Sequence, residues 1–403
     1  MSTRSDLRHC MVVHAYYPLT ETRVQRQAET LVNAGYAVDV ICLRGRGEKA
    51  RERHRGVEIH RLPVRLNKST IGRQFLNYLH FAVLAAARLT ILQHRHHYRT
   101  VQIHNLPDFL VFCALFPKLQ RVPVILDLHD LMPEFFAGRF GVGRRRPLAR
   151  LIRWQERLAC GFSDHVITVS EHWRQALIRR GVAEHKCTVI MNVADERIFR
   201  GRPKAPSGGA RFHLIYHGTV AYRNGLDLAI KALERVRDEI PEIQLTILGT
   251  GDHLPALVDL CRQLRLEDHV RFRKDHVAVE ELPDVILSTD VGLAPYRSDA
   301  FTNEVVPTKL MEYAAMGLPC IAARTAAIEA YFRDAMVEFF RPDDASDLAR
   351  CIRELHANPA HRAELARGAQ NFTRRCNWTR TGEHYVSLVK RLPARRSSIL
   401  PVS

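Results

Sequence analysis

The chain has 403 residues, of which 46% are hydrophobic and 26% charged, and this composition excludes an intrinsically disordered protein. A chain of this length is expected to form two or three domains. Its nine cysteines include no C-x-x-C pair, so they predict free thiols in a reducing compartment rather than a disulfide framework or a zinc site.

The formal net charge of +17 is unevenly distributed along the chain. Residues 1–200 contain 32 lysines and arginines against 17 acidic residues, and therefore carry +15 of the total. We expect the N-terminal half to face an anionic partner, which is a nucleic acid, a phospholipid surface or a phosphorylated substrate.

We expect neither a signal peptide nor a membrane-spanning segment. The first residues are polar, and the apolar run after them is short enough for a strand. The segment most similar to a span, Leu79 to Leu92, is interrupted by His80 and Arg88.

Short apolar runs alternate with amphipathic segments along the chain. The first half contains the runs CMVVHAYY, AVDVICL, VEIHRLP, TVQIHN, PVILDLH, DHVITVS and CTVIMN. The second half contains FHLIYHGT, QLTILGTG, HVRFRK, DVGLAPY, PCIAAR and EFFRPDD. Apolar strands that alternate with helices predict parallel sheets covered on both faces, the α/β class.

The segment GRPKAPSGGAR, residues 201–211, is rich in Gly and Pro and predicts a linker between two domains. We therefore expect one doubly wound domain at 1–200 and another at 212–375, with a terminal helix and tail at 376–403. Two such domains facing a cleft would bind ligands beyond the carboxyl ends of their strands.

The segment NEVVPTKLMEYAAMGLP, from Asn303 to Pro319, carries the most informative charges. Pro307 predicts the first turn of a helix and Gly317 its end. Lys309 and the amides of the first turn suit a phosphate, and Glu312, three residues later, would lie on the same face. On these residues alone, an ordinary surface Lys–Glu pair is an equally good interpretation.

Other segments strengthen the functional interpretation by their order along the chain. They are IHNLPDFL, VILDLHDLMPE, SDHVITVSEHWRQALIRRGV, CTVIMNVADERIF, IYHGTVAYRNGLDLAIKAL and LTILGTGDHLPALVDLCRQLRL. With the E-x7-E spacing of Glu304 and Glu312, this set resembles the group 1 (family 4) retaining glycosyltransferases of the GT-B fold. The resemblance covers almost the whole chain. It implies two Rossmann-like doubly wound domains, the first for the acceptor and the second for the nucleotide sugar, with a C-terminal helix crossing back to the first.

The resemblance also implies roles for individual residues. Glu312 would bind the ribose and Lys309 the diphosphate of the donor, while Glu304 and His129 would act at the donor sugar as the catalytic pair. Further donor contacts are implied at the loop positions Gly218, Thr219, Arg223, Asn303, Val305 and Val306.

Two stretches depart from the family pattern. Thr219 and Asn224 stand where phosphate-binding cations are common in the family, and we expect Arg223 to replace them. The first loop, YYPLTETRVQRQ, lacks the usual double glycine, so Arg23 and Arg26 are expected near the cleft. The predicted acceptor contacts are Arg23, His104 and Asp130.

The implied reaction moves a sugar from a nucleotide-diphosphate sugar, with UDP favoured and GDP possible, to a glycan or a lipid-linked glycan. The resemblance places it in cell-surface polysaccharide synthesis, with retention of the anomeric configuration. We expect no metal and no cofactor besides the donor, because lysine and arginine side chains suit the charge of the diphosphate. The run His94 to His97 is interpreted as a basic helix end rather than a metal site.

Two segments predict peripheral binding to the inner face of the cytoplasmic membrane. The segment Gly143 to Leu158 combines five arginines before Trp154 with leucines, and the apolar segment Leu79 to Leu92 precedes it. A polyprenyl-diphosphate-linked acceptor would suit such a surface. The alternative is that both helices only pack on the sheet.

Two other functions remain open from the sequence. A nucleotide-sugar epimerase or hydrolase would share the fold, and a non-catalytic basic binding protein would share the charge. Nucleic-acid binding is not expected, because no recognition helix, zinc finger or RNA-binding signature is present.

Overall fold

The computed structural model describes residues 7–19, 21–66, 71–140, 146–201, 211–275, 277–299 and 301–392. The chain divides into two compact units. Unit 1 comprises Met1–Asn192 with Thr381–Ser403, and unit 2 comprises Val193–Arg380. Most of the predicted linker, 202–210, and the predicted tail from 393 onward lie outside the described residues.

Unit 1 is built on an eight-stranded sheet with the order β3-β4-β2-β1-β5-β6-β7-β8. Its strands are β1 Arg8–Val12, β2 Ala37–Leu43, β3 Arg51–His54, β4 Val57–Leu62, β5 Thr100–His104, β6 Val124–Leu128, β7 His165–Thr168 and β8 Cys187–Val189. All pairs are parallel except β3 with β4. The edge strand β3 was not predicted, because its sequence RERH is polar and exposed.

The helices of unit 1 connect these strands. They are α1 Thr22–Asn33, α2 Ile71–His96, α3 Leu115–Leu119, α4 Met132–Phe140, α5 Arg146–Phe162 and α6 Glu171–Arg179. Because crossovers between parallel strands are right-handed, α2, α3 and α5, which all progress in one direction across the sheet, cover the same face. The α1 crossover from β1 to β2 runs the other way and covers the opposite face.

Unit 2 contains a six-stranded, wholly parallel sheet with the order β11-β10-β9-β12-β13-β14. Its strands are β9 Phe212–His217, β10 Ile243–Leu248, β11 Val270–Arg273, β12 Val291–Ala294, β13 Cys320–Ala323 and β14 Glu338–Phe340. Its helices are α7 Leu226–Val236, α8 Leu254–Gln263, α9 Leu282–Leu287, α10 Thr308–Met316, α11 Ala326–Glu329, α12 Ala345–Ala357 and α13 Pro359–Arg375.

The last helix, α14 Trp378–Arg391, returns to unit 1. Its Tyr385 is fully buried, and the Tyr385 hydroxyl donates to Gln102 Oε1 of β5 at 2.6 Å. The prediction of two doubly wound parallel sheets with a C-terminal helix returning to the first domain is therefore confirmed.

Apolar side chains fill the space between each sheet and its helices. In unit 2 the core joins Leu214 and Tyr216 of β9 to the helices α7 and α12. All nine cysteines are free, as the sequence predicted, and eight of them are buried.

The expectation that no segment spans a membrane stays a prediction. Within the described residues, the helix segment Gly72–His96 is long and apolar enough to cross a membrane by length and composition alone, and it contains an 18-residue window with a mean hydropathy of 1.5. The interruptions at His80 and Arg88 are too few to remove this property from a helix that continues to His96.

The strand order reverses at one point in each sheet. In unit 1 the reversal lies between β1 and β5, and in unit 2 it lies between β9 and β12. Adjacent loops leave in opposite directions at such a point and open a crevice at the carboxyl ends of the strands, where doubly wound sheets bind ligands.

Candidate active site

In unit 2, the loop after β9 begins with Gly218 at the reversal of strand order. Gly218 has φ +117°, which an L-side chain rarely adopts, and its amide donates to the Leu248 carbonyl at 2.9 Å. A Cβ on Gly249 would lie 2.0 Å from the Gly218 oxygen. The two glycines therefore let the loops after β9 and β10 approach each other closely.

Lys309 points to this loop from the first turn of α10. Its side chain is buried, and its Nζ lies 2.8 Å from the Tyr296 hydroxyl and 3.3 Å from the Tyr216 hydroxyl. The same ammonium lies 4.3 Å from the centre of the Tyr216 ring. A Cβ on Gly218 would lie 3.6 Å from Nζ. The cation is therefore held close to the Gly218 backbone.

The charge of Lys309 is stable in this buried position. Burial by itself lowers the pKa of Lys309, but the phenol oxygens of Tyr216 and Tyr296 raise it above the usual value of lysine. The hydrogen bonds and the ring faces favour the ammonium form. The site thus has a permanent positive charge at neutral pH.

Glu312 lies one turn further along α10, on the same side as Lys309. Its Oε2 is 3.3 Å from Nε2 of His217, the last residue of β9. Burial, followed by the charge of Lys309, lowers the pKa of His217 to about 3, so the imidazole is neutral. Glu312 is half-buried. A carboxylate in this position can accept hydrogen bonds from a diol.

Glu304 ends a 3-10 turn, Thr302–Glu304, just before α10. The turn is anchored by Asp299, whose Oδ1 accepts from the backbone amides of Phe301 and Thr302 at 2.7 and 2.8 Å. Glu304 and the next two residues, Val305 and Val306, are half-exposed.

The side chain of Asn303 takes part in the same turn, because its Nδ2 donates to Ser298 Oγ at 2.9 Å. Pro307 precedes α10 as its N-cap rather than lying in its first turn, whereas Gly317 ends the helix with φ +70°, as predicted.

The predicted replacement cation, Arg223, lies beside the Glu304 turn. Its guanidinium carbon is 4.6 Å from the centre of the Phe301 ring. The departures at Thr219 and Asn224 have a structural explanation. Asn224 is buried, and its Nδ2 donates to the Tyr216 hydroxyl at 2.7 Å and to the Thr219 carbonyl at 2.5 Å. Asn224 therefore orders the loop and the tyrosine that holds Lys309.

Sequence reasoning missed three residues of this group: Tyr216, His217 and Tyr296. Tyr216 and His217 directly precede Gly218, so their position at the end of a predicted strand was a usable signal. Tyr296 follows β12, the other strand at the reversal, and only the strand order brings it to Lys309.

In unit 1, a second polar group forms where β5 and β6 end. Its centre is Asp127, which is fully buried. Arg23 donates to both carboxylate oxygens, at 2.9 and 3.3 Å, and Gln27 and Gln102 add donors at 2.8 and 3.0 Å. Burial alone would raise the pKa of Asp127, but the Arg23 guanidinium and the His104 hydrogen bond hold it well below its usual range.

His129 is connected to Asp127 through His104. His104 Nδ1 lies 3.0 Å from His129 Nε2 and 3.4 Å from Asp127 Oδ2. Burial lowers the pKa of His129 to about 3 and also lowers that of His104, so both rings are neutral at physiological pH. The His129 side chain keeps 15% of its surface exposed, so it can reach a ligand.

The predicted acceptor residues differ in accessibility. Arg23 is 2% exposed and its Nη1 also donates to the Ile190 carbonyl at 2.8 Å, while His104 is fully buried. Asp130 is half-exposed, and its backbone oxygen accepts from Asn105 at 2.6 Å. Arg26 donates to Asn192 at 3.3 Å. Acceptor contacts by Arg23, His104 and Asp130 stay predictions.

A further carboxylate, Glu21, was not selected from the sequence. Its Oε2 lies 3.6 Å from His129 Nδ1, on the opposite side of the ring from His104. Burial and the neighbouring charge of Asp130 raise the pKa of Glu21 to about 7. Glu21 lies in the first loop, where only tertiary structure brings it to a residue 108 positions later.

His104, Asp127 and His129 also form the one group in the described part of the chain with the donor types of a metal site. The oxygens of Asp127 already accept from Arg23 and two glutamine amides, and the arginine brings a competing positive charge. These contacts fit a hydrogen-bond network rather than a divalent cation site. Metal independence of the reaction stays a prediction.

Two family models match different parts of the chain. Residues 20–192 match the Glycosyl transferase 4-like domain, and residues 211–358 match Glycosyl transferases group 1. Glycogen synthase of Mycobacterium tuberculosis is 27% identical over 319 residues, which cover 76% of this chain and 74% of the relative.

Two solved structures share the fold over nearly their full length. Sucrose-phosphate synthase of Thermosynechococcus elongatus has a TM-score of 0.77 at 17% identity, covering 96% of this chain and 99% of that one. Anabaena HepE in complex with UDP-glucose has a TM-score of 0.71 at 16% identity, covering 95% and 99%. The chain belongs to the group 1 (family 4) retaining glycosyltransferases of the GT-B fold, which are hexosyltransferases that depend on a nucleotide sugar.

Proposed function

We propose that this enzyme transfers a hexose from a UDP-sugar to a glycan or a lipid-linked glycan during cell-surface polysaccharide synthesis. The observation that carries the proposal is the ammonium of Lys309, which is buried beside the Gly218 backbone at the reversal of strand order. A fixed cation at this point suits a diphosphate. The choice of UDP is supported by Anabaena HepE, whose structure contains UDP-glucose.

The roles of the donor residues follow from their chemistry. Lys309 binds the diphosphate, with Arg223 as a second cation, and Glu312 accepts hydrogen bonds from the ribose hydroxyls. Glu304 binds hydroxyls of the donor sugar, and His129 of unit 1 acts on the same sugar. The neutral imidazole of His129 can donate or accept a hydrogen bond without placing a second cation near the reacting carbon.

In the reaction, the bond between the anomeric carbon and the phosphate oxygen breaks, and its electron pair stays on that oxygen. The acceptor oxygen forms the new bond from the same face, and its proton passes to the leaving phosphate. The negative charge on the diphosphate grows as the bond breaks, so Lys309 stabilises the transition state more than the ground state.

We further propose that the acceptor is presented at the inner face of the cytoplasmic membrane, on a polyprenyl diphosphate. The charge of unit 1 supports this proposal, because residues 1–200 carry +15 of the net charge of +17. A basic surface raises the local concentration of anionic, membrane-bound substrates.

Thermal unfolding with a panel of UDP, GDP, ADP and their sugars tests the donor site. A ligand at 100 times its dissociation constant should stabilise the protein by about 2.7 kcal/mol. We expect UDP and one UDP-sugar to give this shift, Glu312→Gln to weaken it, and the exposed control Asp238→Asn to leave it unchanged. A larger shift in Tm with GDP than with UDP would show that the donor is a GDP-sugar. No shift with any nucleotide would refute the proposed donor site.

A further inference from the structure

The outer surface of α2 carries a row of exposed apolar side chains. Phe75, Leu79, Val83 and Ile91 are 54%, 46%, 61% and 45% exposed. Because each step of four residues turns about 40° around the helix axis, these side chains form a stripe that winds along the exposed surface of the helix over about 24 Å. The sequence of α2, from Ile71 to His96, contains no acidic residue.

The inner side of α2 is packed against the protein from Phe81 onward. Phe81, Ala85 and Leu89 are fully buried, and Arg88 Nη2 lies 2.9 Å from His60 Nδ1 of β4. A helix attached in this way cannot be surrounded by lipid on all sides. Although α2 is long and apolar enough to cross a membrane, its packing suits a position in the plane of the interface.

Exposed apolar side chains continue from α2 onto its neighbours in the same helix layer. Phe75 contacts Phe109 with ring centres 5.8 Å apart. Phe109 belongs to the 3-10 turn Asp108–Ala114, which leads into α3. In this turn and α3, Phe112, Leu115 and Leu119 are 39%, 54% and 72% exposed. The rings of Phe112 and Phe162 lie 5.2 Å apart and connect the turn to α5.

On α5, Leu151, Trp154 and Leu158 form another exposed row, with 56%, 60% and 42% of their surfaces accessible. Their spacing of three and four residues places them on one side of the helix. We use the term apolar face for the exposed apolar side chains of α2, α3 and α5 together. All of them lie on the helix layer that covers one face of the unit 1 sheet.

Arginines border the apolar face along α5. An exposed arginine directly precedes each residue of the apolar row, so the two rows are about 100° apart around the helix; the arginines are Arg150, Arg153 and Arg157. Beside them, an open pocket between α5 and the end of α6 is lined by Arg153, Arg157, Arg179, Arg180, Glu156 and Gly181. Arg180 is paired with Glu156 and Glu134, so Arg153, Arg157 and Arg179 supply the excess positive charge of the pocket.

We propose that the apolar face docks unit 1 onto an anionic phospholipid bilayer, with α2, α3 and α5 in the interface and the arginine pocket facing lipid phosphates. This inference rests on the proposed membrane-bound acceptor and identifies the surface and the lipid chemistry. The arginines along α5 and in its pocket match anionic headgroups, while the apolar row reaches the acyl boundary. A second copy of the chain would bring a surface of the same charge and therefore suits this face poorly.

Trp154 supplies a direct probe of docking. Of the three tryptophans, Trp154 is 60% exposed, whereas Trp173 and Trp378 are 0% and 3% exposed. With vesicles of phosphatidylcholine and phosphatidylglycerol at about 7:3, we expect a blue shift of tryptophan emission and quenching by brominated acyl chains. Pure phosphatidylcholine vesicles should bind much less protein.

Paired variants separate charge from apolar contact. Arg153→Gln with Arg157→Gln should weaken binding to the anionic vesicles about 30-fold, since each arginine near the surface contributes about fivefold. Arg51→Gln with Arg53→Gln removes the same charge from the edge strand β3, where both residues are exposed, and should change binding less than twofold. Leu79→Ser with Val83→Ser should also weaken binding, and Leu19→Ser, 66% exposed, is its control.

Several results would overturn the inference: equal binding to neutral and anionic vesicles, no quenching of Trp154, or equal effects of the helix and β3 variants. Resistance to carbonate extraction would show that α2 crosses the bilayer instead. A dimer that is lost in Leu79→Ser with Val83→Ser would show that a second copy covers the face. Thermal stabilisation by UDP tests the donor site independently of the membrane. If UDP did not stabilise the protein, the proposed function would be refuted, but the docking surface would not.

Discussion

The buried ion pair between Arg23 and Asp127 supports a strong prediction about the stability of unit 1. The two side chains are 2% and 0% exposed, and the carboxylate accepts four hydrogen bonds from Arg23, Gln27 and Gln102. In Asp127→Asn, the NH2 group of the new side chain would face the hydrogen-bond donors of Arg23, Gln27 and Gln102. The buried charge of Arg23 would also lose its counterion. Breaking a buried pair in this way costs about 3–5 kcal/mol.

A loss of this size should be visible in thermal and urea unfolding. For a unit of roughly 200 residues, it corresponds to a decrease in Tm of about 6–20 °C. Circular dichroism and the emission of Trp173, which is buried in unit 1, give two readouts. Glu171→Gln removes one partner of an exposed pair with Arg174 and should cost at most about 1 kcal/mol.

A double variant tests the cause. Arg23→Met with Asp127→Leu removes both charges, although the Gln27 and Gln102 amides lose the acceptor that Asp127 provides. The double variant should therefore recover part of the stability that Asp127→Asn loses. The reasoning would be refuted if Asp127→Asn unfolded within about 1 kcal/mol of the wild type. It would also be refuted if the double variant were as unstable as Asp127→Asn.

Two further predictions concern the candidate site. Lys309→Met should lower kcat about 10²- to 10³-fold, because one preorganised donor that stabilises charge is lost. The exposed control Lys274→Met should retain activity in the same sugar-transfer assay, and a kcat of Lys309→Met equal to that of the wild type would show that Lys309 has no role in the mechanism. The pKa of Glu21 is raised from 4.5 to about 7, so the folded state binds the Glu21 proton more tightly than the unfolded state does. The resulting contribution to the free energy of unfolding is complete below pH 4.5 and is lost as the pH rises to about 7. In urea unfolding from pH 5 to 8, wild type should therefore lose roughly 1–3 kcal/mol relative to Glu21→Gln, and parallel profiles would contradict the environment of Glu21 described here.

The pattern of the sequence was sufficient to predict most of the fold. Buried parallel strands need continuous apolar residues, so each run from AVDVICL to EFFRPDD indicated its strand. The polar strand β3 was not predicted, because it lies at the edge of the sheet and pairs on one side only. No apolar pattern is required at such a position. The length and apolar character of α2 were likewise underestimated, because a helix that is partly packed on protein tolerates occasional polar residues.

The candidate site was only partly determined by the sequence. Local spacing along α10 was enough to place Lys309 and Glu312 on one side of a helix, because the helix repeat fixes their separation. The partners Tyr216 and Tyr296 come from strands that are adjacent in the sheet but distant in the chain. Only tertiary structure decided that Glu21 faces His129 and that Arg23 is buried against Asp127, since strand order and packing, not local spacing, bring these residues together.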